Sequence, residues 1–68
     1  MAINLDLYHK AIAADAAFSR ELERVYGKRA GDLRYIYGDH ADARINAARN
    51  AKLQADQEWR EECAKAAA

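Results

Sequence analysis

The chain has 68 residues, of which 51% are hydrophobic, and its 11 basic and 11 acidic residues cancel to a formal net charge of zero. A chain this short forms one domain at most (1–68), and because 17 of its hydrophobic residues are alanine, we expect a small core that gains from a partner surface or from self-association. Zero net charge gives no field that would draw the whole chain to nucleic acid or to an anionic membrane. The single cysteine, Cys63, excludes an internal disulfide and a cysteine-rich zinc site. With no apolar run long enough to span a bilayer, the expected location is the cytoplasm.

The first predicted element is a helix over about residues 5–26. Alanine is the best helix former and proline is absent, so the sequence predicts an all-α fold class. Asn4 is the expected N-cap, and Gly27 is expected to end the helix in a left-handed conformation. One apolar stripe recurs at spacings of three and four: Leu7, Tyr8, Ala11, Ala14, Phe18, Leu22, Val25 and Tyr26.

The connector, residues 27–39, is the least regular part of the sequence. It holds all three glycines, and residues 27–38 carry three basic side chains against one acidic one, Asp32, for a local balance of +2. Gly31 and Gly38 are expected to provide two further bends, and Leu33 and Ile36 to pack over one end of the helices. The connector can also hold a short third helix.

The last predicted element is a helix over about residues 40–66, capped by Asp39 or Asp42. Steps of four and three define a heptad seam along it: Ala41, Ile45, Ala48, Lys52, Ala55, Trp59, Glu62 and Ala66. Leu53 lies on another face, where it is either exposed or part of a second contact. The simplest arrangement is an antiparallel two-helix hairpin in which this helix folds back on the first.

Some charged residues occupy unexpected positions in these patterns. Asp15 lies in the first apolar stripe and Lys52 lies in the seam, so each is either the other's partner or exposed at the edge of the hairpin. Glu58 and Glu62 form a like-charged i,i+4 pair, which indicates either a solvated face or a surface for a basic partner.

The candidate partner-binding residues lie in the connector and just after it, where cationic and aromatic side chains alternate: Lys28, Arg29, Arg34, Tyr35, Tyr37 and His40. Three interpretations stay open: local packing, contact with a protein, and stacking on nucleic-acid bases. Because tyrosine and arginine are enriched at binding hot spots and the chain is neutral, a protein partner is favoured over nucleic acid.

A second hypothesis is homo-oligomerisation through the thin seam, with Ile45, Ala48, Ala55 and Trp59 as the contact residues. An enzyme is not predicted, because no nucleophile, base and oxyanion site can be assembled around Cys63. His9 and His40 share no helix face at the spacing of metal ligands. No cofactor, metal site or catalytic residue is therefore assigned.

Part of the sequence resembles small alanine-rich helical accessory proteins of tailed bacteriophages. The similar residues are Ala30-Gly31-Asp32-Leu33-Arg34-Tyr35, Asp42, Ala47-Ala48-Arg49, Ala51-Lys52 and Asp56-Gln57-Glu58-Trp59-Arg60. The resemblance implies a non-enzymatic protein of the host-cell cytoplasm that binds and inhibits or modulates a host or defence protein complex. The alternative it implies is a minor virion component, and it carries no catalytic residues.

Overall fold

The computed structural model describes residues 3–35 and 38–67, and all regular structure in them is helical. Helix α1 spans Leu5–Tyr26 and is followed by a 3-10 turn over Gly27–Arg29 and by the short helix α2, Ala30–Leu33. Helix α3 spans Ala43–Ala67 and packs along α1, which gives a hairpin of 42 × 19 × 18 Å. The predicted all-α hairpin is confirmed, as is the short helix in the connector.

Helix α1 begins and ends where its sequence indicated. The side chain of Asn4 accepts a hydrogen bond from the backbone N–H of Asp6 at 3.0 Å, as an N-cap does. At the other end the N–H of Gly27 donates to the carbonyl of Glu23, and Gly27 has a φ of +58°. Its ψ of −124° lies outside the left-handed helical region, so the predicted left-handed cap is wrong although the positive φ is confirmed. The bend predicted at Gly31 is also wrong, since Gly31 lies inside α2.

Helix α3 begins at Ala43 rather than near residue 40 because Asp42 is its cap. One carboxylate oxygen of Asp42 accepts hydrogen bonds from the backbone N–H groups of Arg44 at 2.9 Å and Ile45 at 3.2 Å. Asp39, the other candidate cap, instead binds the guanidinium of Arg49 at 2.7 Å. Of the two caps that the sequence permits, Asp42 is therefore the one that the structure shows.

The core lies where α1, α2 and α3 meet. Its buried members come from all three helices: Phe18, Leu22, Ala30 and Ile45, with Tyr26 and Ala48 packed against them. Ile45 is 0% exposed, so the seam of α3 faces α1. Ala30 is the connector residue in this cluster, whereas Leu33 is only half-buried and Ile36 lies outside the described residues.

Polar contacts between α1 and α3 establish the antiparallel register. Along the hairpin they pair the N–H of Asn4 with Glu62 at 3.0 Å, Lys10 with Glu58 at 3.0 Å, and Arg24 with Asp42 at 3.1 Å. The interpretation of Glu58 and Glu62 as a surface for a basic partner is therefore not what the structure shows, since both side chains bind α1. Hydrogen bonds from Lys10 and Gln54 hold the pKa of Glu58 below its ordinary value.

Candidate functional site

Two open clefts lie end to end along the contact between α1 and α3, and both are lined by Asp15. The aromatic cleft, of about 270 Å³, is lined by Tyr8, Ala11, Ile12, Asp15, Asp56 and Trp59. The basic cleft, of about 300 Å³, is lined by Asp15, Phe18, Arg34, Tyr35, Arg49, Lys52 and Leu53. Because the two clefts share Asp15, they are treated together as one surface of the hairpin, hereafter the groove.

Large apolar side chains stand exposed along the groove. The exposed fractions are 42% for Tyr8, 50% for Ile12, 51% for Leu53 and 76% for Tyr35. Leu5, 54% exposed, extends the α1 side of this surface, because Leu5, Tyr8 and Ile12 follow one another at spacings of three and four. Contiguous apolar exposure of this kind marks interaction surfaces more often than single exposed residues do.

One wall of the aromatic cleft is a pair of aromatic rings from the two long helices. The ring centroids of Tyr8 and Trp59 are 5.1 Å apart and the rings are tilted by 52°, so the two rings are within the usual distance of an aromatic pair. Trp59 is half-buried in this contact, whereas Tyr8 keeps much of its ring in solvent. The contact gives the cleft a preformed aromatic surface.

Four of the five charged side chains that line the groove form ion pairs where the two clefts meet. Arg34 Nη2 lies 2.5 Å from Asp15 Oδ1, and Lys52 Nζ lies 2.6 Å from Asp56 Oδ2. The predicted pair of Asp15 and Lys52 exists only as a longer contact of 3.9 Å, because each residue has a closer partner. The Asp15 side chain is 46% exposed, so it is an edge residue rather than a buried charge.

Arg34 was predicted to contact a partner, and the structure gives it several internal contacts. Besides Asp15, its guanidinium donates to the hydroxyl of Ser19 at 2.8 Å and lies over the ring of Phe18, 5.4 Å from the centroid. These contacts attach the end of α2 to the middle of α1. Arg34 still lines the basic cleft, but its side chain is only 23% exposed.

His40 was also predicted to contact a partner, but its side chain is buried, with 8% of the residue exposed. Its Nδ1 lies 2.9 Å from the hydroxyl of Tyr26, and its backbone N–H and carbonyl both bind the side-chain amide of Asn46. Its Nε2 has no hydrogen-bond partner among the described residues. The structure therefore places His40 inside the junction between the connector and α3 rather than on the predicted surface.

The other predicted connector residues do not form one site. Tyr35 lines the basic cleft and is the most exposed of the large apolar side chains in the described ranges. Lys28 and Arg29 are exposed in the 3-10 turn, outside the lining of the groove. Tyr37 lies outside the described residues. Of the predicted set, only Arg34 and Tyr35 come together in the groove.

The residues predicted for self-association lie mainly inside the hairpin. Ile45 and Ala55 are 0% and 1% exposed, and Ala48 packs on the core cluster. Trp59 is half-buried against Tyr8. Because α1 already covers this seam, a second copy of the chain has no access to it while the hairpin is intact.

Sequence reasoning missed several residues of the groove: Ile12, Arg49 and Asp56, and the exposure of Tyr8. One signal was present, since Leu5, Tyr8 and Ile12 form a second stripe beside the one assigned to the core. Leu53 was recognised as lying off the seam, and its exposure is one of the two outcomes that the sequence left open.

Comparison with known proteins yielded no relatives: no family model, no curated protein and no solved structure matches this chain. Within residues 3–35 and 38–67, no three His, Cys, Asp or Glu side chains are grouped closely enough to hold a metal ion. In that same part of the chain, each helix is too short or too polar to cross a membrane. Hypotheses about function therefore rest on the groove itself.

Proposed function

We propose that this chain is a non-enzymatic protein-binding module and that the groove is its contact surface. The observation that carries the proposal is the alignment of Tyr8, Ile12, Leu53 and Tyr35, all exposed, beside one groove. Interface centres are rich in aromatic and arginine side chains, and the lining of the groove includes Tyr8, Trp59, Tyr35 and Arg34.

A protein partner suits the groove better than nucleic acid does because the cations of the groove are already paired. Arg34 binds Asp15, Lys52 binds Asp56, and Arg49 binds Asp39 and the carbonyl of Gly38. Binding to a phosphate backbone relies on cations that exchange counterions for phosphates, which these ion pairs oppose. We therefore rank base stacking by Tyr35 below protein contact.

The resemblance to phage accessory proteins extends the proposal to the identity of the partner. On that basis the partner is a host or defence protein complex that this chain inhibits or modulates in the host cytoplasm. No contact of the groove selects this partner over other proteins, so the extension rests on the resemblance alone.

Affinity purification with matched variants tests the proposal. Replacing both Ile12 and Leu53 with serine removes two exposed apolar side chains from the groove and should abolish capture of a partner from native-host lysate. The control is Val25→Ser, which alters a residue 40% exposed and roughly 220° around α1 from Ile12. It should capture as wild type does, and circular dichroism should show equal helicity in all variants. Undiminished capture by the double variant would show that the contact surface lies outside the groove.

The second candidate function is a structural one in which two copies of the chain associate. The observation that favours it is the same exposed apolar surface, now covered by a second copy instead of by a foreign protein. Sedimentation equilibrium distinguishes the two: a monomer at high micromolar concentration that still captures a partner excludes the structural role. A dimer that the Ile12 and Leu53 serine replacements dissociate would support it.

A further inference from the structure

Both long helices contribute a stripe of side chains to the groove, and each stripe follows helical spacing. On α1 the lining residues Tyr8, Ile12 and Asp15 are four and three positions apart. On α3 the lining positions 49, 52, 56 and 59 are three, four and three apart. Asp15 lines both clefts, and Asp56 of the aromatic cleft binds Lys52 of the basic cleft, so each wall continues from one cleft to the other.

We infer that the groove receives one amphipathic α-helix of the partner protein, which lies along α1 and α3 and completes a three-helix bundle. This inference rests on the proposed function and adds the secondary structure and the apolar pattern of the partner segment. Side chains three and four positions apart form ridges on a helix, and the side chains of another helix pack into the grooves between such ridges. Insertion of a helix into an apolar groove is also a recurrent mode of recognition.

The middle of the groove carries no net charge. Arg34 is paired with Asp15, and Lys52 is paired with Asp56, so two cations balance two carboxylates there. This part therefore selects neither a basic nor an acidic side chain. Apolar surface lies on either side of it, and that surface is supplied by Tyr8, Ile12 and Trp59 in the aromatic cleft and by Phe18, Leu53 and Tyr35 in the basic cleft. A partner helix is thus expected to have two apolar anchors with a polar turn between them.

The separation of the two apolar surfaces indicates the spacing of those anchors. Ile12 and Phe18 are six positions apart on α1, as are Leu53 and Trp59 on α3, which corresponds to about 9 Å along each helix. Residues on the same face of a partner helix rise by about 6 Å at a spacing of four and by about 10.5 Å at a spacing of seven. The spacing of seven is closer, so we expect large apolar residues at positions i and i+7 of the partner helix.

Other forms of a bound segment suit the groove less well. All regular structure in residues 3–35 and 38–67 is helical, so this part of the chain offers no sheet edge to which a strand could be added. Proline-rich segments bind in grooves lined by aromatic rings, but Tyr8 and Trp59 contact each other at 5.1 Å between centroids and leave no slot between their rings. A helix satisfies its own backbone hydrogen bonds and can therefore cover apolar side chains without leaving polar groups unpaired.

Synthetic peptides of about 14 residues, matched to the Leu5–Phe18 stretch of α1, test the inference. The first has two leucines seven positions apart on an uncharged background of alanine and glutamine. The second has the same composition with the leucines five positions apart, on different faces, and the third has a central proline that breaks the helix. Fluorescence of Trp59, the only tryptophan of the chain, reports binding to the full chain. We expect the first peptide to bind about tenfold more tightly than the others, because only it places both leucines in the groove as a helix. No saturable response to the first peptide, or equal binding of another, would overturn the inference.

Single replacements on the two helices test whether the peptide lies between them. Ile12→Ser on α1 and Leu53→Ser on α3 should each weaken the first peptide about tenfold, because a helix in the groove contacts both walls. Val25→Ser, the control outside the groove, should bind as wild type does, and circular dichroism should show equal helicity in all three variants. Wild-type affinity in Leu53→Ser would show that the peptide binds α1 alone, which would overturn the inference.

Hydrogen exchange on the captured partner separates failure of this inference from failure of the proposed function. If the Ile12 and Leu53 replacements abolish capture but no helical segment of the partner is protected in the complex, only the inference fails. If capture survives the replacements while the first peptide still binds wild type and not the variants, the proposed function fails and the preference of the groove stands. A dimer of this chain that the first peptide dissociates would make a second copy the occupant and would overturn the inference.

Discussion

Gly27 and Gly31 lie four positions apart and have opposite conformational requirements. Gly27 has a φ of +58° and a ψ of −124°, a combination that side-chain-bearing residues rarely adopt. Gly31 lies inside α2, and a Cβ added there would meet nothing within 4 Å. The glycine is thus required at the first position and replaceable at the second.

Alanine replacements at these two glycines should therefore change stability in opposite directions. We expect Gly27→Ala to lower the free energy of unfolding by about 1–3 kcal/mol, because alanine is strained in this region. Gly31→Ala should raise it by about 0.4–1 kcal/mol by restricting the unfolded chain. Urea denaturation followed by circular dichroism measures both, and two changes of the same sign would contradict the conformational assignment.

Asp42 connects the start of α3 to the end of α1. Burial alone would raise its pKa, but the hydrogen bond from Arg24 and those from the backbone N–H groups of Ile45 and Arg44 together lower it below the ordinary value. The charged form therefore stabilises the folded state. That contribution is complete above the ordinary aspartate pKa of about 4 and is lost as the pH falls through the lowered folded-state pKa.

Replacing Asp42 with asparagine should make the melting temperature less dependent on pH in the acid range. Asparagine still caps a helix, so the change removes mainly the ion pair with Arg24. We expect the melting temperature of the variant to be below that of wild type at about pH 6 and the difference to shrink towards about pH 3. Asp32→Asn, the same change on an exposed side chain, should follow wild type throughout. A pH-independent difference between Asp42→Asn and wild type would show that the carboxylate charge is not the stabilising feature.

At the scale of the helices, the two large aliphatic side chains of α3, Ile45 and Leu53, lie in different environments. Ile45 is fully buried in the core cluster, and Leu53 stands 51% exposed beside the groove. Truncation of Ile45 removes buried methyl groups and leaves a cavity, whereas truncation of Leu53 removes surface that is already largely in water.

Ile45→Ala should lower the free energy of unfolding by about 2–5 kcal/mol, while Leu53→Ala should change it by less than about 0.5 kcal/mol. Because the core is so small, we expect much of the Ile45→Ala variant to be unfolded at room temperature. A weaker helical signal in circular dichroism would show this. Leu53→Ala should instead weaken partner capture, since its side chain lies beside the groove. Equal destabilisation by the two changes would place Leu53 in the core.

The helices themselves could be predicted because their signals are local. The Asn4 cap, Gly27 and the 3.6-residue periodicity define α1 within the sequence that forms it, and the steps of the α3 seam identified Ile45 and Ala55 as inward-facing. The partner of Arg34 could not be predicted, because Asp15 lies nineteen positions away and the two meet only after the connector has turned. The same is true of His40, whose burial depends on Tyr26 and Asn46 together.

For the whole molecule, the groove depends on the rotation of α1 and α3 about their own axes. The sequence shows which side chains share a helix face, but it does not show that the Tyr8 side of α1 lies next to the Asp56 side of α3. That relation arises from packing at Phe18, Leu22 and Ile45 and from the polar contacts along the hairpin. The exposed surface could therefore be predicted only in part: the sequence places Leu53 off the seam, but it does not predict the groove.

The contact between Asn4 and Glu62 has a mechanical consequence. Because the start of α1 and the end of α3 lie side by side, a force applied to the two ends of the chain loads the hairpin contacts one after another. The order is Asn4 with Glu62, then Tyr8 with Trp59 and Lys10 with Glu58, then the ion pairs around Asp15, and then the core cluster of Phe18, Leu22, Ala30 and Ile45. Such unzipping requires far less force than sliding two helices past each other. We therefore expect pulling on the two ends of the chain to separate the helices first near Asn4 and Glu62 and last where α2 joins the core cluster.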